Sequence, residues 1–248
     1  MKNRLSIGLL LGALLSTVFA GTATAESLFR IGADIDYSNV AMDQVNNQLN
    51  KGGAVTKAGP AISGMLSFDI ATIPFIMLGA RAGYLYCVPS GATYNYVVFN
   101  QKTTINASLI PLELGVSANA DVPTTPLSGS AGAYFGYGFA LASINNDISA
   151  LGQTATLNQP YNGGGFVGEL VAAIRCKLDP IFSVNINGGY RLAKISQMIQ
   201  TQDVSYTGIP GVTIPVGAKG DVLKDSDNAD FVFDFSGFTI GVGASIGF

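Results

Sequence analysis

From Phe29 onward, apolar residues recur at every second position in eight separate segments. Successive side chains of a strand point to opposite faces, so this period specifies strands with one apolar face rather than helices. The first segment sets Phe29, Ile31, Ala33, Ile35 and Tyr37 against Arg30, Gly32, Asp34 and Asp36. The same alternation runs through 62–70, 76–86, 110–118, 131–141, 166–174, 182–190 and 238–248. The chain is therefore expected to be all-β.

Which face points inward follows from the polar set. It is mainly glycine, serine and asparagine, with about one charge per strand. Only 12% of the chain is charged and 48% is hydrophobic, where soluble domains average about 25% charged. That is too little charge to solvate the outside of a soluble barrel, and it suits a narrow interior filled by side chains. The apolar face should meet lipid and the polar face a lumen. The expected architecture is an antiparallel up-and-down transmembrane β-barrel of eight strands. A ten-strand count becomes available if 94–99 and 211–216 add strands above the membrane. Connections alternate in length as such a barrel requires: 38–60, 144–163 and 194–233 are long, with a shorter one near 88–101, while 71–74, 121–126 and 177–180 are short and each bears a proline. Phenylalanines 29, 68, 75, 182 and 248 fall at one end and tyrosines 37, 84, 86 and 190 towards the other, as interfacial girdles do.

Residues 1–25 read as a secretory signal peptide. Lys2 and Arg4 precede an apolar run from Leu5 to Leu15, and Ala23-Thr24-Ala25 offers a cleavage site before Glu26. The mature barrel would then span 26–248. Loss of two cations takes the net charge from −3 to −5, which argues against nucleic acid as a partner. No later apolar stretch is long enough for a membrane helix. Both termini are expected in the periplasm.

The chain resembles the small eight-stranded outer-membrane barrels of Gram-negative bacteria, the OmpA-barrel, OmpX, OmpW and opacity-type group. The resemblance rests on the signal peptide, the strand spacing, the strand Ile110-Pro111-Leu112-Glu113-Leu114-Gly115-Val116 and the C-terminal Phe238…Ile246-Gly247-Phe248. It implies that Phe238, Ile246 and the terminal Phe248 form the signal read by the barrel-assembly machinery, after delivery by periplasmic chaperones. With nothing after the last strand, no periplasmic peptidoglycan-binding domain is expected. Outer-membrane lipid is the implied surrounding, and a monomer the implied state.

Chemistry is sparse. Outer-membrane barrel enzymes resemble one another in using a histidine base, and this chain has no histidine; no enzyme and no cofactor are expected. Six lumen charges stand at matching heights on neighbouring strands: Arg30 with Asp69, Arg81 with Glu113, and Glu169 with Arg191. These should form cross-strand salt bridges, either as a structural plug or as a gate that ions open by exchanging partners. Inward glycines at 132, 136, 138, 241, 243 and 247 leave room for water. The run Asp225-Ser226-Asp227-Asn228 resembles the start of a calcium loop, but Ala229 stands at its third ligand position, so a solvated loop and no metal is expected. Cys87 and Cys176 fall at opposite ends of the barrel, too far apart for a disulfide. The polar segments 41–59 and 195–230 should be surface loops able to carry recognition. The first expected function is therefore a structural and surface-interaction role, with a host or phage surface ligand. The second is a narrow channel for small solutes, and the third a soluble periplasmic ligand-binding barrel.

Overall fold

Each alternating segment forms a strand, and the eight close into one ring. A computed structural model describes residues 28–50, 55–97, 99–150, 153–204, 217–225 and 227–248. The expected signal peptide, with Ala23 and Ala25, and the piece 211–216 lie outside these residues. The ring consists of β1 (Phe29–Val40), β3 (Pro60–Ile73), β4 (Ile76–Cys87), β6 (Phe99–Asp121), β7 (Leu127–Ala150), β8 (Gln153–Lys177), β9 (Phe182–Ile195) and β12 (Gly237–Gly247). Each pairs antiparallel with its neighbour in sequence, and β12 pairs back onto β1. This is an eight-stranded up-and-down transmembrane barrel with no open edge along the ring.

Outside it is apolar: Ile35, Leu66, Leu114, Ile186 and Phe238 are each more than 60% exposed. Inside, Arg191, Glu113, Asp69 and Glu169 are at most 3% exposed. A soluble ligand-binding barrel requires the opposite distribution. Among the described residues no helix is long and apolar enough to cross a membrane; the strands cross it.

At the end with short connections, β3 passes to β4 through Pro74 and Phe75. Proline's fixed φ sets the turn, and Phe75 takes a positive φ of 67°. Between β8 and β9, one Asp179 carboxylate oxygen accepts the backbone N–H groups of Ile181 and Phe182. Lys177 on β8 pairs with Asp121 on β6 at 2.8 Å. The ends of β1 and β12 meet here, with Phe29 and Phe248 exchanging backbone hydrogen bonds.

At the other end the expected loops are largely regular structure. Strands β6, β7 and β8 run 23, 24 and 25 residues. The segment expected as loop 144–163 is instead a hairpin paired out to Ala150 and Gln153. The expected loop 88–101 contains β5 (Ser90–Asn95), paired with β6, so Tyr94 and Phe99 belong to a raised extension of the sheet and not to a ninth and tenth wall strand. Segment 41–59 holds a helix, α1 (Asp43–Leu49), and β2 (Val55–Thr56), while the last long connection holds β10 (Ile199–Gln200) and β11 (Phe233–Asp234).

The reason is a reversal of phase. In β6 the apolar positions are 110, 112 and 114 at membrane level, but 105, 107 and 109 above it. Ile110 faces out, while Ile105 and Leu109 are buried. Once the outside is water instead of lipid, the apolar side chains change face. Thr and Asn then fill both faces near the tips, so the alternation weakens and reads as loop.

Candidate functional site: a charged lumen beneath an apolar cap

The lumen is built from inward positions of all eight strands. Low in the barrel, Arg30 on β1 faces Asp69 on β3 in register. Its Nε and Nη2 donate to Asp69 Oδ2 at 3.0 and 2.9 Å, and Nη1 donates to Asn119 Oδ1 at 3.2 Å. At mid-height Arg81 on β4 stands opposite Glu113 on β6, yet its guanidinium turns elsewhere. Nη1 donates to Glu169 Oε2 across the lumen at 3.3 Å, and the guanidinium lies over the Tyr134 ring, 4.7 Å from its centroid. Arg191 Nη2 reaches both oxygens of Glu169 at 3.4 Å.

Glu169 is thus bracketed by two arginines, while neither oxygen of buried Glu113 has a hydrogen-bond donor among the described residues. The expected pairing of Arg81 with Glu113 is replaced by pairing across the lumen. Register puts two Cα atoms side by side, but the long arginine side chain settles where an aromatic face and a shared carboxylate both lie.

Two aspartates that alternation placed inward, without assigning them a role, organise the opposite wall. Asp34 Oδ1 accepts Asn185 Nδ2 at 2.8 Å and Asn187 Nδ2 at 3.1 Å. These bonds span from β1 to β9, over β12, whose intervening positions are Gly241 and Gly243. A Cβ at either glycine would overlap the Asp36 or Asp34 carboxylate. Gly241 and Gly243, two of the six glycines expected to leave room for water, therefore make room for these carboxylates. The remaining space is small: a polar cavity of about 60 Å3 lined by Arg30, Asp34, Asp69, Arg81 and Tyr134, and another of about 110 Å3 at the mouth beside Arg30, Arg175 and Lys177. Such volumes hold a few waters.

Immediately above Arg81, Glu113, Glu169 and Arg191, the inward positions turn apolar. Leu85, Leu109, Ala140, Val167 and Ala193 are all at most 1% exposed. Resting on this ring are Met42, Val45 and Leu49 from the first long connection and Met198, Phe231, Phe233 and Phe235 from the last. Val45 and Leu49 share one face of α1 by their i, i+4 spacing. Phe231, Phe233 and Phe235 alternate along one extended segment, with successive ring centroids 5.3 and 6.3 Å apart. Backbone bonds join the two connections, from Ala41 N to Ser236 O at 2.9 Å and from Met42 N to Asp234 O at 3.0 Å. Asn46 ties α1 to Ala58 through two hydrogen bonds of 2.8 and 2.9 Å. The segments expected as polar surface loops thus supply a second hydrophobic core, which caps the lumen.

The acidic run folds on itself. Asp225 Oδ1 accepts the N–H groups of Asp227 and Ala229, both at 2.9 Å, and Lys224 pairs with Asp230. That ammonium holds the exposed Asp230 carboxyl below the usual carboxylate range. Cys87, in the cap, and Cys176, near the other end of β8, are both free thiols. In the C-terminal segment Phe238, Ile246 and Phe248 all face outward.

No family model and no curated protein matches the chain. Among solved structures it is similar to Neisserial surface protein A (NspA), at 10% identity over 91% of this chain and 100% of that chain, with a TM-score of 0.39. It is similar to Ail, the attachment invasion locus protein of Yersinia pestis, at 12% identity over 90% and 100% of the two chains, with a TM-score of 0.36. It is also similar to the outer membrane protein OprG from Pseudomonas aeruginosa, at 12% identity over 91% and 98%, with a TM-score of 0.45.

Proposed function

We propose that the protein is a monomeric outer-membrane barrel with a structural and surface-interaction role, not a conduit. One observation carries this reading: the lumen is sealed by apolar side chains that its own external connections supply. A solute path would have to cross Leu85, Leu109, Val167 and the phenylalanines above them, whose apolar side chains offer an ion no hydrogen bond. In this reading residues 1–25 are removed on export and Phe238, Ile246 and Phe248 serve assembly. Both termini face the periplasm, and the capped end presents a fixed platform to host, phage or envelope ligands. The lumen pairs of Arg30, Asp69, Arg81, Glu169 and Arg191 then act as a structural plug.

Single-channel recording of the mature protein in planar bilayers tests it. Flat traces are expected at all voltages. Resolved current steps would overturn the sealed-lumen reading and favour the narrow channel, with the gate at the Arg81–Glu169–Arg191 cluster.

A further inference from the structure

Above the membrane, β5, β6, β7 and β8 continue as a raised sheet whose inner face packs on the cap. Its outer face has no such partner among the described residues, and its chemistry is unusual for a surface in water. In register across the strands stand Thr104, Asn145 and Asn158, and in another row Asn100, Ser149 and Thr154. Hydroxyls and amides recur about 4.8 Å apart between strands and about 6.8 Å apart along them. Among the described side chains this face carries two charges, Lys102 and Asp147, which are cross-strand partners. Thr156 donates to the same aspartate at 2.8 Å.

Protein surfaces in water are ordinarily a quarter or more charged. This chain has charges to spend above the membrane, for Asp221, Lys224, Asp225, Asp227 and Asp230 crowd the loop before β12. They are kept off the raised sheet.

We propose that this face binds the neutral sugars of the outer-leaflet glycolipid. Neutral hexoses present hydroxyls that pair with amides and hydroxyls at these spacings. The charge-balanced face favours neither the phosphates of a lipid headgroup nor a polyanion. The occupant follows from continuity. Directly below, Leu141, Phe139 and Tyr137 on the same outward side of β7 are about half exposed to lipid. The sheet's outer side therefore stands in the layer where the lipid that covers those residues carries its sugars. About 27 Å of β7, from Leu141 to Ser149, rises through that layer. The inference rests on the outer-membrane reading above.

Binding of the detergent-refolded mature chain is measured against three probes: lipopolysaccharide with a complete core, deep-rough lipopolysaccharide without the neutral hexoses, and the free core oligosaccharide. The complete form should bind about tenfold more tightly than the deep-rough form. Asn145→Ala with Asn158→Ala should abolish that advantage and leave deep-rough binding unchanged. Asn100→Ala with Ser149→Ala, one row higher, asks the same question should the first pair fail to fold. Equal affinity for the two lipid forms, or an advantage that survives both pairs of substitutions, overturns the proposal. Free oligosaccharide binding as tightly as the complete lipid would overturn the assignment to an anchored glycolipid. Loss of deep-rough binding as well, in the unsubstituted protein, would instead count against the outer-membrane reading itself.

Discussion

The barrel interior consists of two storeys built on opposite rules. At membrane level the wall is apolar outside, and the interior is held by Arg30–Asp69, the Arg81–Glu169–Arg191 cluster and Asp34 with its two asparagines. A few residues higher, the same strands enclose Leu85, Leu109, Val167 and three phenylalanines. What changes between the storeys is the medium outside the wall. Lipid takes the apolar face and leaves polar groups to satisfy one another within, whereas water takes the polar face and leaves an ordinary hydrophobic core. The phase of the alternation thus reports what surrounds each length of strand. The storeys should also fail differently: a buried ionic cluster is damaged out of proportion by losing one member, while an apolar core yields in proportion to the volume removed.

The largest effect is expected at Glu169, the carboxylate on which two buried guanidiniums converge. Glu169→Gln should cost about 4 kcal/mol, since Arg81 and Arg191, both buried, lose the charged partner they share. The unheated band on SDS gels should convert to the unfolded position at a distinctly lower temperature. An unchanged conversion temperature would mean that the lumen charges are solvated and the two storeys do not differ in this way. Phe233→Ala, in the fully buried centre of the cap, should cost about 3 kcal/mol, and locally. The gel transition of the barrel should stay in place while trypsin gains access to Lys219 and Lys224. If the barrel transition fell with it, the cap and wall would be one cooperative unit.

The membrane storey was legible in the sequence because lipid enforces a strict pattern. All eight wall segments and the inward side of every lumen charge follow from alternation alone. The cap was not, for a physical reason. Its strands reverse phase near Leu109 and Ile110, and its two other contributors are short: seven residues of α1, and the segment Phe231-Val232-Phe233-Asp234-Phe235. That second segment alternates as cleanly as any wall strand, but it sits in an acidic, glycine-containing stretch whose average composition is that of a loop. Register also reached only as far as Cα positions. It placed Arg30 against Asp69, whose side chains do meet. It placed Arg81 against Glu113, but the side chain reaches the next carboxylate instead.

Glu113 tests that last difference by sign. Across the membrane-level lumen, Arg30, Arg81, Arg175 and Arg191 give four positive charges, and Asp34, Asp36, Asp69, Glu113 and Glu169 give five negative ones. Glu113→Gln balances them and removes a buried carboxylate that lacks donors, so it should stabilise the barrel by about 1 kcal/mol. Had Arg81 paired with its in-register neighbour, the same substitution would destabilise. A lower conversion temperature for Glu113→Gln would therefore restore the register pairing and break the contrast with Glu169.

The smallest effect belongs to the exposed loop that leads into the cap. The Lys224 side chain donates to the Asp230 carboxylate, and that hydrogen bond is the main reason its pKa lies below the usual 3.8, with the ammonium charge adding to it. A group whose folded pKa is depressed contributes stability that is complete above its unfolded value and fades as pH falls through the folded one. The link between Lys224 and Asp230 should therefore persist through neutral and mildly acidic pH and loosen only below about 3.8. A carboxyl-carbon NMR titration should place the Asp230 midpoint below that value, and Lys224→Ala should raise it. Salt should narrow the gap between the two proteins, because the pair is open to solvent. Meanwhile Phe231, one residue along the chain, should stay buried in both proteins, since the cap depends on its phenylalanines and not on the ionic pair beside them. A Lys224→Ala protein that exposed the 219–224 segment to trypsin as fully as Phe233→Ala does would show that the upper storey, too, rests on charge.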